Sequence, residues 1–250
     1  MSQGPLVTVI TATSANPLLT DVIESVHNQT YDNIQHLIFV DGPAHKDNAL
    51  KLIDAAYLHK PDSCVDVIDL PTPVGVDRWN GHRMYGAGTY LADGDFIMYL
   101  DDDNTLHPDH VQSCMNVMMQ GKLWTFSFRN IQDKDKNFIC RDDCESLGVY
   151  PSVLHPEDYF VDVNCYFLRK DVAVSLSPLW YRKAREPGVP EVDRVLCSSL
   201  REHFNNFLPT YRHTVNYTVG NNPMSVQKEF FLQGNAEMLR RYGGNLPWVV

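Results

Sequence analysis

Short apolar runs alternate along the first half of the chain with stretches whose apolar residues recur every three to four positions. Residues 6–11 (LVTVIT) are β-rich and almost continuously apolar, which predicts a central parallel strand buried on both faces. Over residues 17–28, Leu18, Leu19, Val22, Ile23 and Val26 fall on one face of a helix. Residues 36–40 (HLIFV) predict a second buried strand, ending sharply at Asp41-Gly42-Pro43. A second amphipathic stretch covers residues 46–58, and a third strand, 65–70, stops at Pro71. A helical segment then leads to Ala92, and a fourth strand, 96–100, runs into Asp101-Asp102-Asp103-Asn104.

The second half has a different rhythm. Residues 123–129 and 137–140 flank the polar turn QDKDKN and predict a hairpin. Residues 163–168 predict another strand, 191–204 a helix, and 227–242 a further helix. Alternating strands and helices followed by mixed elements indicate an α/β fold, with a mainly parallel sheet and helices on both faces. No repeat, low-complexity tract or linker divides the chain. One domain over residues 1–250 is expected, with a nucleotide-type half to about residue 105 and a mixed half after it.

Charge narrows the functions open to such a fold. Thirty-one acidic residues against twenty-one basic ones give a net charge of −10 over 250 residues. That argues against nucleic acid or an anionic membrane surface as partner. A phosphate ligand needs a metal ion to supply positive charge locally. The six cysteines are scattered, and Cys140 and Cys144 have no matching Cys/His pair, so reduced and mostly buried thiols are expected rather than disulfides or zinc. The start, MSQGPLVTVIT, has no basic and long apolar leader, and no apolar run reaches membrane-spanning length. A cytoplasmic location is the expectation, in which the sequons at Asn28 and Asn216 are silent.

In an open α/β sheet, ligands bind outside the carboxyl ends of the strands. Two strands end there in acid: Asp41 after the second, and Asp101 to Asp103 after the fourth. Three consecutive carboxylates repel one another, and a hard divalent cation, Mn²⁺ or Mg²⁺, offsets that repulsion. Asp-x-Asp spacing on extended backbone puts Asp101 and Asp103 on one side. The competing reading is a helix-start turn, with Asn104 or Thr105 capping a helix that begins near Pro108. An EF-hand is excluded, because no glycine or closing glutamate follows at the required spacing.

The ordered set VTVITAT, SVHNQTYDNIQHLIFVDG, WNGHRMYGA and ADGDFIMYLDDDN resembles the GT-A-fold glycosyltransferases of family 2 over about the first 110 residues. The resemblance implies a GT-A domain whose first half binds the nucleotide and whose second half binds the acceptor. It implies that Thr11 and Ala12 line the nucleotide pocket and that Asp41 accepts a hydrogen bond from the base. Asp41 is alternatively an Asx-turn residue before Gly42 and Pro43. Arg83, or else Arg78, would approach the diphosphate. Asp101 would sit near the ribose or a metal-bound water, Asp102 at the variable middle position of the donor site, and Asp103 on the metal. A late histidine, His213, would be a metal or phosphate ligand.

Transfer also needs a base for the acceptor hydroxyl. The resemblance places it in an acidic pair at a helix start, which points to Asp193 in Glu191-Val192-Asp193-Arg194, after Pro190. The bland alternative is that Glu191 and Asp193 only complement the helix dipole. Asp162, beside an apolar strand, is the rival base. Trp124, Trp180 and Trp248 are either sugar-stacking or core residues. The expected activity is a metal-dependent, inverting transfer of sugar from a UDP, GDP or dTDP donor to a hydroxyl of a glycan or glycoconjugate. The alternatives are a nucleotidyltransferase and a nucleotide-sugar-binding protein without turnover. The segment TATSANP, lacking Gly, Lys and Arg, counts against the first.

Overall fold

The structure, a computed structural model, describes residues 4–57, 64–184, 191–221 and 226–249. Strand β1 (Val7–Thr13) is followed by α1 (Leu19–His27), β2 (Ile34–Val40), α2 (Pro43–Tyr57), β3 (Cys64–Asp69), α3 (His82–Leu91) and β4 (Phe96–Tyr99). Then come β5 (Thr105–Leu106), α4 (His110–Met118), β6 (Trp124–Asp133), β7 (Phe138–Arg141), β8 (Tyr166–Arg169), α5 (Lys170–Leu176), α6 (Val192–His203), β9 (Phe207–Val219) and α7 (Lys228–Arg241).

Nine strands form one sheet in the order β3-β2-β1-β4-β8-β6-β9-β5, with β7 paired on β6. The first four strands in that order are parallel. β8 runs antiparallel to both β4 and β6, and β9 runs parallel to β6. The sheet is thus mixed, and its parallel half carries helices on both faces. Neighbouring residues of a strand point to opposite faces. Ile38 packs with Leu19 and Ile23 of α1 and Ile53 and Ala56 of α2. Phe39 faces the other way, onto α3. There, a Cβ on Gly88 would lie 2.8 Å from both Ile10 and Phe39, so this helix crosses the sheet where only glycine fits.

The elements expected from the apolar pattern are present, with shifted ends. Residues 163–165 differ: they form a 3₁₀ turn, capped by the Asp162 carboxylate accepting from the Asn164 amide at 3.0 Å, and the strand starts only at Tyr166. The helix near Pro108 exists as α4, yet neither Asn104 nor Thr105 caps it: its N-cap is Asp109, and Asn104 instead accepts from the Thr218 amide at 2.8 Å. Strands β5 and β9 and helix α5 are not marked by the apolar pattern. Leu58, and the Gly188-Val189-Pro190 segment before α6, lie outside the described residues. Cys114, Cys140, Cys144, Cys165 and Cys197 are all free thiols. No helix among the described residues is long and apolar enough to cross a membrane.

Candidate active site

The parallel strands β1, β2 and β4 end on one side of the sheet, and the acidic residues lie there. β4 stays tied to β1 through the Leu100 amide, which donates to the Ile10 carbonyl at 3.0 Å. The chain then turns, with the Asn104 amide 3.4 Å from the Asp101 carbonyl. This turn corrects the expectation of extended backbone through Asp101–Asp103, and the three carboxylates take separate partners. Asp101 accepts from the Tyr85 hydroxyl at 2.6 Å and from the Asn164 amide group at 2.9 Å. Asp102 accepts from the Thr13 hydroxyl at 2.6 Å. Asp103 accepts from the Asn221 side chain at 2.5 Å, beside a small recess that Asp21 and Gln132 also line.

Burial and neighbouring negative charge weaken the acidity of all three. Burial first, then repulsion by Asp101, pushes Asp102 up to about 6. Burial, with Asp101 and Asp102 beside it, pushes Asp103 up to about 7. Burial, followed by the charge of Asp162, raises Asp101. Closely packed hard oxygen donors short of positive charge suit a hard divalent cation. Among the described residues no three Asp, Glu, His or Cys side chains converge as a metal site. The donor set therefore fits a cation held by one or two carboxylates and completed by phosphate and water, as Mg²⁺ commonly is.

Asp101 also lines a cavity of about 330 Å³, together with Asp162, Asp193, Arg129, Trp180 and Tyr217. Asp193 stands in the first turn of α6, whose buried Val192, Leu196, Cys197 and Leu200 anchor the helix to the core. The Tyr166 hydroxyl holds the Asp193 carbonyl at 3.3 Å. Burial, then the charges of Asp162 and Asp101, pushes the Asp193 carboxyl up to about 7. The helix N-terminus favours its ionised form, but here desolvation prevails.

Asp162 is held differently. It pairs with Arg129, which is 2% exposed and also donates to Asp142 at 2.7 Å and to Glu145 at 2.5 Å. Burial opposes the charge on Arg129, and Asp142, Asp162 and Glu145 more than offset that cost. Burial likewise opposes ionisation of Asp142, but Arg129 beside it holds its carboxyl below the usual range. Asn164 links the two sides of the cavity, donating at 2.9 Å to Asp101 and at 2.7 Å to Asp162. Arg129, Glu145, Asn164 and Tyr85 were not named from the sequence. A usable signal was the lone charge in the aromatic-rich run WTFSFR, since a buried charge requires a partner.

The glycosyl transferase family 2 model matches residues 7–158, more than half of the chain. The chain belongs to glycosyltransferase family 2. It is therefore an enzyme that takes its sugar from a nucleotide-sugar donor. The fold agrees over nearly the whole length. The structure of S. aureus TarS 1–349 in complex with UDP superposes with a TM-score of 0.64 at 12% identity, covering 96% of this chain and 72% of that one. The mannosyltransferase PcManGT from Pyrobaculum calidifontis, in complex with GDP-Man and Mn²⁺, gives 0.60 at 12% identity, covering 94% and 64%. No curated protein sequence matches the chain.

The other residues expected on the donor side of this family 2 glycosyltransferase fall outside the main cavity. The Asp41 carboxylate accepts from the backbone amides of Val74, at 2.6 Å, and Gly75, at 3.0 Å, so it fastens the loop after β3. That is close to the turn-residue alternative, although the turn it holds is not its own. Thr11 is buried with its hydroxyl 2.9 Å from His36 Nε2, while Ala12 stands against Gly81 at the cavity edge. The Arg83 guanidinium lies 3.6 Å over the Trp79 ring. Arg78 is exposed, with a left-handed φ of 69°. Trp124, Trp180 and Trp248 are all buried, and of these Trp180 reaches the cavity.

His213 is not brought to the acidic turn. Its neighbours are Phe128 and, at 3.8 Å, Asp143. The turn meets β9 at Thr218, five residues on, or about 17 Å along an extended strand. Burial lowers His213 to about 4 and keeps it neutral. The expected metal-ligand role of His213 is corrected accordingly.

Proposed function

We propose that this family 2 enzyme is a metal-dependent, inverting transferase in which Asp193 is the general base. The observation that carries the reading is the contrast between two carboxylates of one cavity. Asp162 is committed to the buried Arg129, whereas Asp193 has a pKa lifted to about 7. A base works best when its pKa lies near the working pH. In the proposed step the acceptor oxygen bonds to the anomeric carbon from the face opposite the diphosphate. The anomeric carbon–oxygen bond breaks, the diphosphate leaves with the electron pair, and the acceptor proton passes to Asp193. One displacement inverts the anomeric centre.

Mn²⁺ or Mg²⁺, when bound, would stabilise the charge on the leaving diphosphate as a Lewis acid. Asp103 and Asp101 are the residues to hold it. Asp41, Ala12 and Asp102 would face the donor's nucleoside, Thr11 would support that wall from within because its buried hydroxyl is taken by His36, and Arg83 is the candidate cation for the diphosphate. Residues up to about 105 serve the donor and the rest the acceptor, a glycan or glycoconjugate. UDP in TarS and GDP-mannose in PcManGT support a purine or pyrimidine diphosphate alike.

The test is a pair of variants assayed with UDP, GDP and dTDP sugars and Mn²⁺. Asp193→Asn is expected to keep donor affinity within about threefold and to lose roughly 10²–10⁴ in turnover. Asp162→Asn is expected to lower thermal stability more than Asp193→Asn does. Transfer at the parental rate by Asp193→Asn removes it as the base, and if Asp162→Asn alone is slowed while still folded, the role passes to Asp162.

A further inference from the structure

The cavity walls carry information about the acceptor. Among the described lining residues, Asp101, Asp162, Asp193 and Glu145 set four carboxylates against the guanidinium groups of Arg129 and Arg194; Glu191 also lines the cavity and is left out of this balance because it has a partner of its own. Both guanidinium groups are spent within the wall. Arg129 is shared among Asp142, Glu145 and Asp162. Arg194 pairs with Asp158 and reaches Glu145 at 3.4 Å. Four acids thus hold two arginines, so this cluster is itself net negative before Asp101 and Asp193 are counted. The cations Arg83 and Lys183 gather elsewhere, around Trp79, at 3.6 and 5.8 Å from its ring. Between the charged groups stand Phe160, Tyr217 and Trp180.

Resting on the transferase reading, we infer that the acceptor is a neutral, hydroxyl-rich sugar or polyol unit, and that the cavity rejects acceptors bearing a phosphate or carboxylate next to the reacting hydroxyl. Carboxylate walls accept hydrogen bonds from hydroxyl groups, and aromatic rings pack against the apolar C–H faces of a sugar. With the cation at Asp101 and Asp103 taken up by the donor's diphosphate, an anionic acceptor group would meet like charge at low dielectric with no uncommitted guanidinium among the described lining residues, and such repulsion is an effective way to exclude a competitor.

The experiment offers the full chain, with Mn²⁺ and radiolabelled UDP-, GDP- and dTDP-hexoses, an array of neutral glycans, and the same glycans carrying phosphate or uronic acid. Transfer to neutral members at least tenfold above their anionic counterparts is the expected result. Equal or preferred transfer to anionic members overturns the inference. So does donor hydrolysis without transfer to any neutral member, whereas no donor turnover of any kind sinks the transferase reading itself. Two further readings do not depend on finding the right acceptor. Calorimetry with glucose 6-phosphate should show no binding to the parent below millimolar concentration, and binding there overturns the inference. Asp158→Asn, which releases a share of Arg194, should tighten glucose 6-phosphate binding several-fold, and an unchanged isotherm in a folded variant counts against the charge argument.

Discussion

Arg129 sits in a strand between the buried Phe128 and Ile131, with its charge entirely inside the protein. Removing one partner of a buried ion pair leaves the other uncompensated, at about 3–5 kcal/mol. Here three carboxylates would be stranded. Arg129→Ala should therefore lose at least about 3 kcal/mol in urea unfolding, and Arg129→Lys should recover little, because an ammonium lacks the fork that serves three acids. Asp193 gives the opposite sign. Its folded pKa, about 7, lies above the ordinary 3.8, so its contribution to stability is complete below about pH 3.8 and is lost as pH rises through 7. Asp193→Asn should accordingly melt above the parent at pH 8, with the difference closing towards pH 4, as followed by calorimetry. In the parent, turnover should rise with pH through about 7 as the base ionises. Asp101, Asp162 and Asp193 could be named from their places in the sequence because each stands at a strand or helix end. Arg129 could be suspected only as a charge in a buried strand, and its partners Glu145 and, through it, Arg194 could not be named, because their meeting depends on how β6, the loop after β7 and α6 converge, which no local pattern records.

At the scale of elements, α3 is seated by Gly88 over Ile10 and Phe39. Gly88→Val should displace the helix that carries Tyr85 and cost about 1–3 kcal/mol, read as a lowered midpoint in chemical unfolding. It should weaken the hold on Asp101 as well, since the Tyr85 hydroxyl is one of its donors. The parallel strands β1, β2 and β4 were legible because burial on both faces leaves them free of charge and rich in apolar and β-branched residues. β9 was not, for an identifiable reason. Its partner β5 spans only Thr105–Leu106, so much of one edge is uncovered and polar residues are tolerated along it. Pro209 breaks the strand pattern, and Tyr211, with φ of 55°, lies where the β6–β9 register shifts. Asn221, which follows directly and donates to Asp103, was missed with it.

The whole molecule carries a net charge of −10 and concentrates carboxylates at one end of its sheet. A diphosphate should therefore bind weakly without a divalent cation. We expect UDP or GDP with Mn²⁺ to raise the melting temperature and nucleotide alone to do little, since ligands stabilise only as far as they bind the native state. Asp103→Ala should abolish the metal-dependent part while preserving the fold; an undiminished shift would remove Asp103 from the metal site. The order of strands also bears on how the chain comes off the ribosome. The family match ends at residue 158, before β8 and β9, the strands that flank β6 on either side. A nascent chain of that length has made Asp41 and Asp101 to Asp103 but neither Asp162 nor Asp193, and it presents open edges on β4 and β6, the second lined by Trp124, Phe126 and Phe128. Unpaired apolar edges invite aggregation. Until Val219 emerges, the sheet cannot close around β6, so this is the interval in which a chaperone would be needed, and a fragment cut at the family boundary should be recovered from inclusion bodies rather than from solution.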